Sequence, residues 1–347
     1  MKEGIIESIP VSVIGGSGYT GAELIRLISQ HPNFELLEIV ANRNVGKQVA
    51  EIFPHLRHLK LPKFIDFESL NFSKLKLIFC ALPHATSQDL IKKIPQGIKI
   101  IDLSADFRLE DTIEYEKWYK TKHIASKLQS DAVYGLSELY RKEIGEANLI
   151  ACTGCNAAAA LLPILPLLKK DIIDISHITI NLGAGVSGAG RAAKENTLHA
   201  EVSEGIKPYN VGTHRHLAEL KQEFSKVCSR KIDVTFVPHL LPQNRGIIVS
   251  IPLNYRAQKI HEALNDFYKD EMFVIVLPIG DMPATQHVRG SNFCHIGVVQ
   301  DNDPERCVLF SVIDNLVKGS SGQAIQNANI SFGFEETSGL WESPIFP

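Results

Sequence analysis

The sequence predicts an α/β chain in two parts, a parallel-sheet domain followed by an α+β domain on a mostly antiparallel sheet. Three observations carry this. The first 150 or so residues alternate short apolar strands with stretches of helical spacing. Beyond residue 155 the strands no longer alternate one for one with helices. At 347 residues, the chain is long enough for two substantial cores.

Taken in order, Val11-Ser12-Val13-Ile14 is a strand pattern running into Gly15-Gly16-Ser17-Gly18-Tyr19-Thr20-Gly21. Leu24, Ile25, Leu27 and Ile28 then recur at helical spacing until His31-Pro32. Gly15, Gly18 and Gly21 make a G-x-x-G-x-x-G variant of the dinucleotide fingerprint. Glycines there permit the turn and let a pyrophosphate rest on the helix N-terminus, which predicts a Rossmann-type dinucleotide-binding domain. A plain strand-to-helix turn can carry the same glycines, but this one opens the domain, and a second strand, 36–40, arrives at the expected distance. That strand ends Ala41-Asn42-Arg43 with no acid after Glu38. The basic ending favours NADP over NAD, with Arg43 as partner of the 2′-phosphate and Lys47 a weaker candidate. The competing reading of Arg43 is a solvated loop cation.

Segments 75–82 and 98–103 read as further buried strands. Their exit loops, Pro83-His84-Ala85-Thr86-Ser87 and Ser104-Ala105-Asp106-Phe107-Arg108, fall where parallel strands line a ligand crevice. His84, Ser104 and Arg108 are therefore candidates by position. Thr86 or Ser87 suits the cap of the next helix, and an Asp106–Arg108 pair is the purely structural alternative.

An apolar strand end, Asn148-Leu149-Ile150-Ala151, and a Thr-Gly turn lead into Cys155 and a run of alanines and leucines. Cys155 thus falls at a helix N-terminus, where the dipole favours thiolate over thiol. Gly154 permits close backbone approach to the sulfur, and the small alanines leave room for a substrate. The competing readings are a buried structural cysteine and a redox pair, Cys152-x-x-Cys155.

Strands are expected at 178–182, 234–237, 246–251, 273–276 and 307–312, with the glycine-rich 183–191 as a loop wrapping a small anion or admitting backbone. Polar loops then carry Tyr209, His214-Arg215-His216, Arg245 and 287–292. His214, His216 and Cys155 lack the spacing of a zinc site, so no metal is expected.

The formal charge of −3 argues against nucleic-acid or membrane-surface binding driven by bulk charge. Six scattered cysteines suit reduced thiols, no apolar run approaches about 20 residues, and 1–10 holds two glutamates without a signal-peptide core. A cytoplasmic location is expected.

Several motifs together resemble the N-acetyl-gamma-glutamyl-phosphate reductase family over nearly the whole chain. They are Gly15 to Leu24, Asp102-Leu103-Ser104-Ala105-Asp106-Phe107-Arg108-Leu109, Val133 to Glu138, Ser187-Gly188-Ala189-Gly190-Arg191, His214-Arg215-His216, Arg245-Gly246, Gly290-Ser291-Asn292 and Asp314 to Gly319. One departure stands at the cysteine. The family carries Asn-Pro-Gly-Cys and an aromatic, whereas this chain has Cys152-Thr153-Gly154-Cys155-Asn156, closer to the related reductase of carrier-protein-linked aminoadipyl or glutamyl phosphate.

The resemblance implies NADPH-dependent reduction of an acyl phosphate to a semialdehyde, with Cys155 as nucleophile and His216, chosen over His214, as the proton-transfer group. It implies cofactor contacts at Gly15, Ser17, Gly18, Tyr19, Thr20 and Gly21, with Arg43, His84, Ser187 and Asn315. Substrate contacts fall to Arg108, Arg191, Tyr209, His214 and Arg245. A non-catalytic NADP-binding sensor would need none of the later histidines and arginines. The cofactor domain is expected to be discontinuous, 1–154 with 315–347, around a catalytic and dimerisation domain at 155–314. Ser320 or Ser321 is expected to cap the last helix, and the middle sheet to pair across a homodimer or homotetramer.

Overall fold

The computed structural model describes residues 8–173 and 176–346. The reading of 1–10 as lacking a signal-peptide core rests partly on 1–7, which lie outside the described residues. Among the described residues, no helix is long and apolar enough to cross a membrane.

The chain forms two compact units. The first joins Met1–Thr153 to Ser320–Trp341, and the second joins Gly154–Gly319 to Glu342–Pro347. The contact boundary thus falls after Gly319 rather than before Asn315. Asn315 stays with the second unit because its side chain bonds Gly246 and Ser187. The tail joins it through the Ile345 N–H, donated to Arg289 O at 2.9 Å.

In the first unit the strands are β1 (Ile9–Ile14), β2 (Phe34–Val40), β3 (Phe64–Ile65), β4 (Leu77–Cys80), β5 (Lys99–Asp102), β6 (Ala132–Gly135) and β7 (Leu149–Cys152). They form a sheet of order β3-β2-β1-β4-β5-β7-β6, and every pairing is parallel. Alternation along β2 sends Ile39 into a core with Ile25, Phe53 and Phe64, and Val40 into the opposite one with Ile14 and Ile78. Both faces are covered, as a parallel sheet requires. The short β3 and β6 carry too little apolar pattern to be read from sequence.

The helix Gly322–Phe332 completes this unit. Ala324, Ile325 and Ala328 are fully buried, but so are Gln323, Gln326, Asn327 and Asn329. Each of these amides donates a hydrogen bond through its nitrogen, while Gln323 Oε1 is buried without a partner among the described residues. Asn327 Nδ2, for one, donates to Gly135 O at 3.0 Å and to Cys152 Sγ at 3.5 Å, while its Oδ1 accepts from Ser137 Oγ at 2.7 Å. Neither serine caps the helix. A π-turn, Val317–Ser321, precedes it, and Ser321 Oγ donates instead to Thr20 O at 3.0 Å. The cap expected at Thr86 or Ser87 is also absent: Thr86 Oγ1 donates to Pro83 O, and Ser87 Oγ turns to Asp102 and Asp106.

The second unit holds β8 (His177–Gly185), β9 (Lys207–Pro208), β10 (Asp233–Leu241), β11 (Ile247–Leu253), β12 (Val274–Val276), β13 (Cys294–Gln300) and β14 (Cys307–Ile313). Their order is β12-β13-β14-β11-β8-β10-β9. Four of the six pairings are antiparallel and two are parallel. Gly183 to Gly185, expected in a loop, extend β8, and a tight turn, Val186–Ala189, follows.

The helix Cys155–Lys169 runs through this unit with every side chain from Asn156 to Leu168 buried, as an apolar sequence without a polar stripe predicts. It contains Pro163 and Pro166. Proline has no N–H, so Pro166 leaves Leu162 O without its helical donor. The Tyr268 hydroxyl supplies one at 2.6 Å.

Candidate active site

In the first unit β1 feeds a turn that ends at the helix Tyr19–Ile28. Gly15 sits at φ +84°, and a Cβ there would lie 2.3 Å from Ala81 O. A Cβ on Gly21 would lie 2.5 Å from Gly15 O. Only glycine fits these two positions, the second so that the helix can start against the turn. Gly18 occupies the N-cap and gives the first turn no side-chain cap, leaving N–H groups of the kind that bind a pyrophosphate. The turn therefore fits a dinucleotide. Arg43 is exposed in a short turn, Asn42–Asn44, just past β2. His84, also exposed after β4, sets its ring edgewise on Tyr119 at 5.6 Å.

The loops after β4 and β5 are tied to one buried carboxylate. Asp106 accepts from the Ala85 N–H at 2.7 Å, the Ser87 N–H at 3.1 Å and the Tyr115 hydroxyl at 2.8 Å. The first of these bonds holds Ala85 at φ +63°. Ser104 Oγ donates to Asp102, whose carboxyl is pushed up to about 6 by burial. The Asp106–Arg108 pairing considered from sequence does not form. Arg108, only 5% exposed, donates Nε to Cys152 O at 2.6 Å and a terminal nitrogen to Leu103 O at 2.9 Å. It clamps two strand ends.

Cys152 is buried, and desolvation pushes its thiol up to about 12. Such a sulfur stays protonated near neutral pH, so Cys152 is not the attacking member of a Cys152–Cys155 redox pair.

In the second unit Cys155 opens its helix, with Gly154 as N-cap. The Gly154 N–H donates to Glu219 Oε2 at 2.9 Å, and Glu219 is fully buried on the helix His216–Cys228. His216 Nε2 lies 3.9 Å from the other Glu219 oxygen. A Cβ on Gly154 would stand 2.4 Å from that Nε2, so the missing side chain makes the space His216 occupies beside the cysteine's turn. From the other side, a Cβ on Gly319 would stand 2.7 Å from Cys155 Cβ. Asn156, 2% exposed, reaches the Tyr209 hydroxyl and His214 Nε2, each at 3.4 Å. Burial, with a smaller contribution from Arg215, lowers His214 to about 4. Cys155, Tyr209, His214 and His216 thus gather in one cluster.

A second group sits at the end of β14. Asp314, fully buried, accepts from Arg245 at 3.3 Å and from the Gly290 N–H at 2.7 Å. Asn315 accepts the Gly246 N–H at 2.8 Å and donates to Ser187 Oγ at 2.9 Å. Arg245 is therefore held in place while 28% of its side chain stays exposed. Arg191 is exposed beyond the turn that carries Ser187. Among the described residues no cluster of His, Cys, Asp and Glu could hold a metal ion.

Residues 10–147 match the family described as "Semialdehyde dehydrogenase, NAD binding domain", and 155–315 match "Semialdehyde dehydrogenase, dimerisation domain". An N-acetyl-gamma-glutamyl-phosphate reductase of Cereibacter sphaeroides is 52% identical over 338 residues, 97% of this chain and 99% of its own. One from Paracoccus denitrificans is 50% identical over 341 residues, 98% of this chain and all of its own. The chain belongs to the N-acetyl-gamma-glutamyl-phosphate reductase family.

Solved semialdehyde dehydrogenases share the fold. Aspartate semialdehyde dehydrogenase II of Vibrio cholerae superposes with a TM-score of 0.73 at 17% identity, covering 94% of this chain and 99% of its own. The Candida albicans enzyme, crystallised with NADP, gives 0.71 at 17% identity, covering 93% of this chain and 98% of its own. Sequence reasoning missed Glu219, which holds the turn before Cys155, and Asp314, which holds Arg245. The signal for Glu219 was its place three residues beyond His216, one turn along the same helix face.

Proposed function

We infer that this protein reduces N-acetyl-γ-glutamyl phosphate to N-acetylglutamate 5-semialdehyde with release of phosphate, using NADPH, in arginine biosynthesis. The observation that carries the reading is the setting of Cys155, first residue of a buried helix, with His216 admitted beside its turn by a glycine and backed by buried Glu219. The names of relatives at half identity over nearly the full chain support the same substrate.

The helix N-terminus favours the Cys155 thiolate, which attacks the acyl carbon; the C–S bond forms, the C–O bond to phosphate breaks, and phosphate departs. NADPH, when bound, supplies hydride to the thioester carbon. His216 holds a proton for the resulting thiohemiacetal oxygen and takes it back as the C–S bond breaks, freeing the aldehyde and the thiolate. Arg108, Arg191 and Arg245, with Tyr209 and His214, bind the substrate's phosphate and carboxylate. The glycine turn with Ser17, Tyr19 and Thr20, and Arg43, His84, Ser187 and Asn315, bind the cofactor.

We further propose a cytoplasmic homodimer or homotetramer. The half-exposed Val237, Ile248, Val308 and Phe310 on one face of the second sheet support pairing there, as does the match of residues 155–315 to a semialdehyde dehydrogenase dimerisation domain. The deciding assay is phosphate-dependent reduction of NADP with N-acetylglutamate semialdehyde, run beside the carrier-linked semialdehyde. Activity confined to the carrier-linked compound, or none with either, would overturn the reading.

A further inference from the structure

The cluster around Cys155 contains a hydrogen-bond conflict whose resolution bears on the sulfur. His214 Nδ1 accepts the His216 backbone N–H at 3.2 Å. A nitrogen that accepts carries no proton, so His214 is neutral and its proton sits on Nε2. Its burial supports the same state. That Nε2 lies 3.4 Å from Asn156 Nδ2, so a donor faces a donor. At its other end, Asn156 Oδ1 lies 3.6 Å from Cys155 Sγ.

The two ends of an amide have the same shape and exchange by a half-turn about χ2. After that half-turn the Asn156 oxygen accepts from His214 Nε2–H and from the Tyr209 hydroxyl, whose oxygen is also 3.4 Å from this end of the amide. The amide N–H then points at Sγ. Every donor of this group has an acceptor if the sulfur is one, and a thiolate is a far better acceptor than a thiol.

We propose that Asn156 is a catalytic residue that donates a side-chain N–H to the Cys155 thiolate, in an orientation fixed by His214 and Tyr209. This rests on Cys155 being the nucleophile, as read above. At 2% exposure the bond is little diluted by water. It adds a directed donor to the diffuse field of the helix terminus.

Tyr209 and His214 face this pocket from the loop, and His216 and Glu219 from the helix His216–Cys228. Changing Asn156 leaves all four side chains in place and takes from His214 and Tyr209 the acceptor they share.

The test is the rate of Cys155 alkylation by iodoacetamide in the full chain, read by mass on the Cys155 peptide from pH 5 to 10. It reports the thiol pKa without reference to turnover. Asn156→Ala and Asn156→Leu should each raise that pKa by about one unit, so that the rate at pH 7 falls about tenfold while the high-pH plateau is unchanged. Tyr209→Phe, which removes one of the two donors fixing the amide, should shift it in the same direction by less. An unmoved pKa in whichever Asn156 variant folds overturns the proposal, and if neither folds, an unmoved pKa in Tyr209→Phe does so. Failure of the underlying reading is separate: it shows as Cys155→Ser retaining turnover, whatever the alkylation profile.

Discussion

Replacing Gly154 with alanine adds one methyl group to a position whose backbone, φ −69° and ψ 143°, tolerates any residue. The cost therefore comes from what the methyl meets. Its carbon would stand 2.4 Å from His216 Nε2, 2.6 Å from His216 Cδ2 and 2.8 Å from Glu219 Oε1. Ordinary contact requires about 3.5 Å, so the imidazole must retreat by about 1 Å. A displacement of that size in a catalytic group costs about 100-fold in rate. Overpacking and the change at the N-cap cost about 1–3 kcal/mol in stability. Turnover of NADPH with the acyl phosphate, measured beside urea unfolding, separates the two effects. Gly154→Ala should stay folded and lose about two orders of magnitude in kcat/KM. A variant within threefold of the parent would refute the argument that this glycine exists to admit His216.

Four further outcomes are expected. Cys155→Ser should fold and bind NADPH but lose at least about two to three orders of magnitude in kcat, whereas Cys152→Ser should keep most activity; equal loss in both would revive the redox pair. Arg43→Ala should reduce the NADP over NAD preference about tenfold to a hundredfold, from a charge-assisted contact of about 1.5–3 kcal/mol, and an unchanged ratio of kcat/KM would remove Arg43 from the site. His214, held at about 4 against 6.5 when unfolded, stabilises the fold fully above pH 6.5 and loses that contribution as pH falls toward 4. His214→Gln should therefore remove about 2 kcal/mol of the stability difference between pH 7 and pH 5 in urea unfolding, and an unaltered slope would contradict the depressed value. Asn327→Leu removes the donor to Gly135 O and the acceptor of the Ser137 hydroxyl, whose oxygen keeps the Gln323 amide as donor, and should cost about 2–3 kcal/mol; a neutral Tm would mean that water replaces the amide.

The sequence by itself determined the parallel sheet, because buried strands and the glycine turn are local patterns: Gly15 is required by its own positive φ, and Gly21 by the Gly15 backbone six residues before it. It likewise determined that Cys155 begins a helix, since a Thr-Gly turn before an alanine and leucine run leaves little else. Tertiary structure decided what local pattern cannot encode. Ser320 and Ser321 look like caps, yet Ser321 spends its hydroxyl on Thr20, some 300 positions away. Arg108 looks like a free guanidinium at a strand end, yet it is buried against Leu103 and Cys152 carbonyls brought together by β5 and β7 pairing. Glu219 reads as one acid a turn beyond His216, and only the packing of two helices sets it under Gly154. A hydrogen bond is specified by two partners. Where both lie within a turn of each other the sequence shows it, and where the fold supplies one from afar it does not.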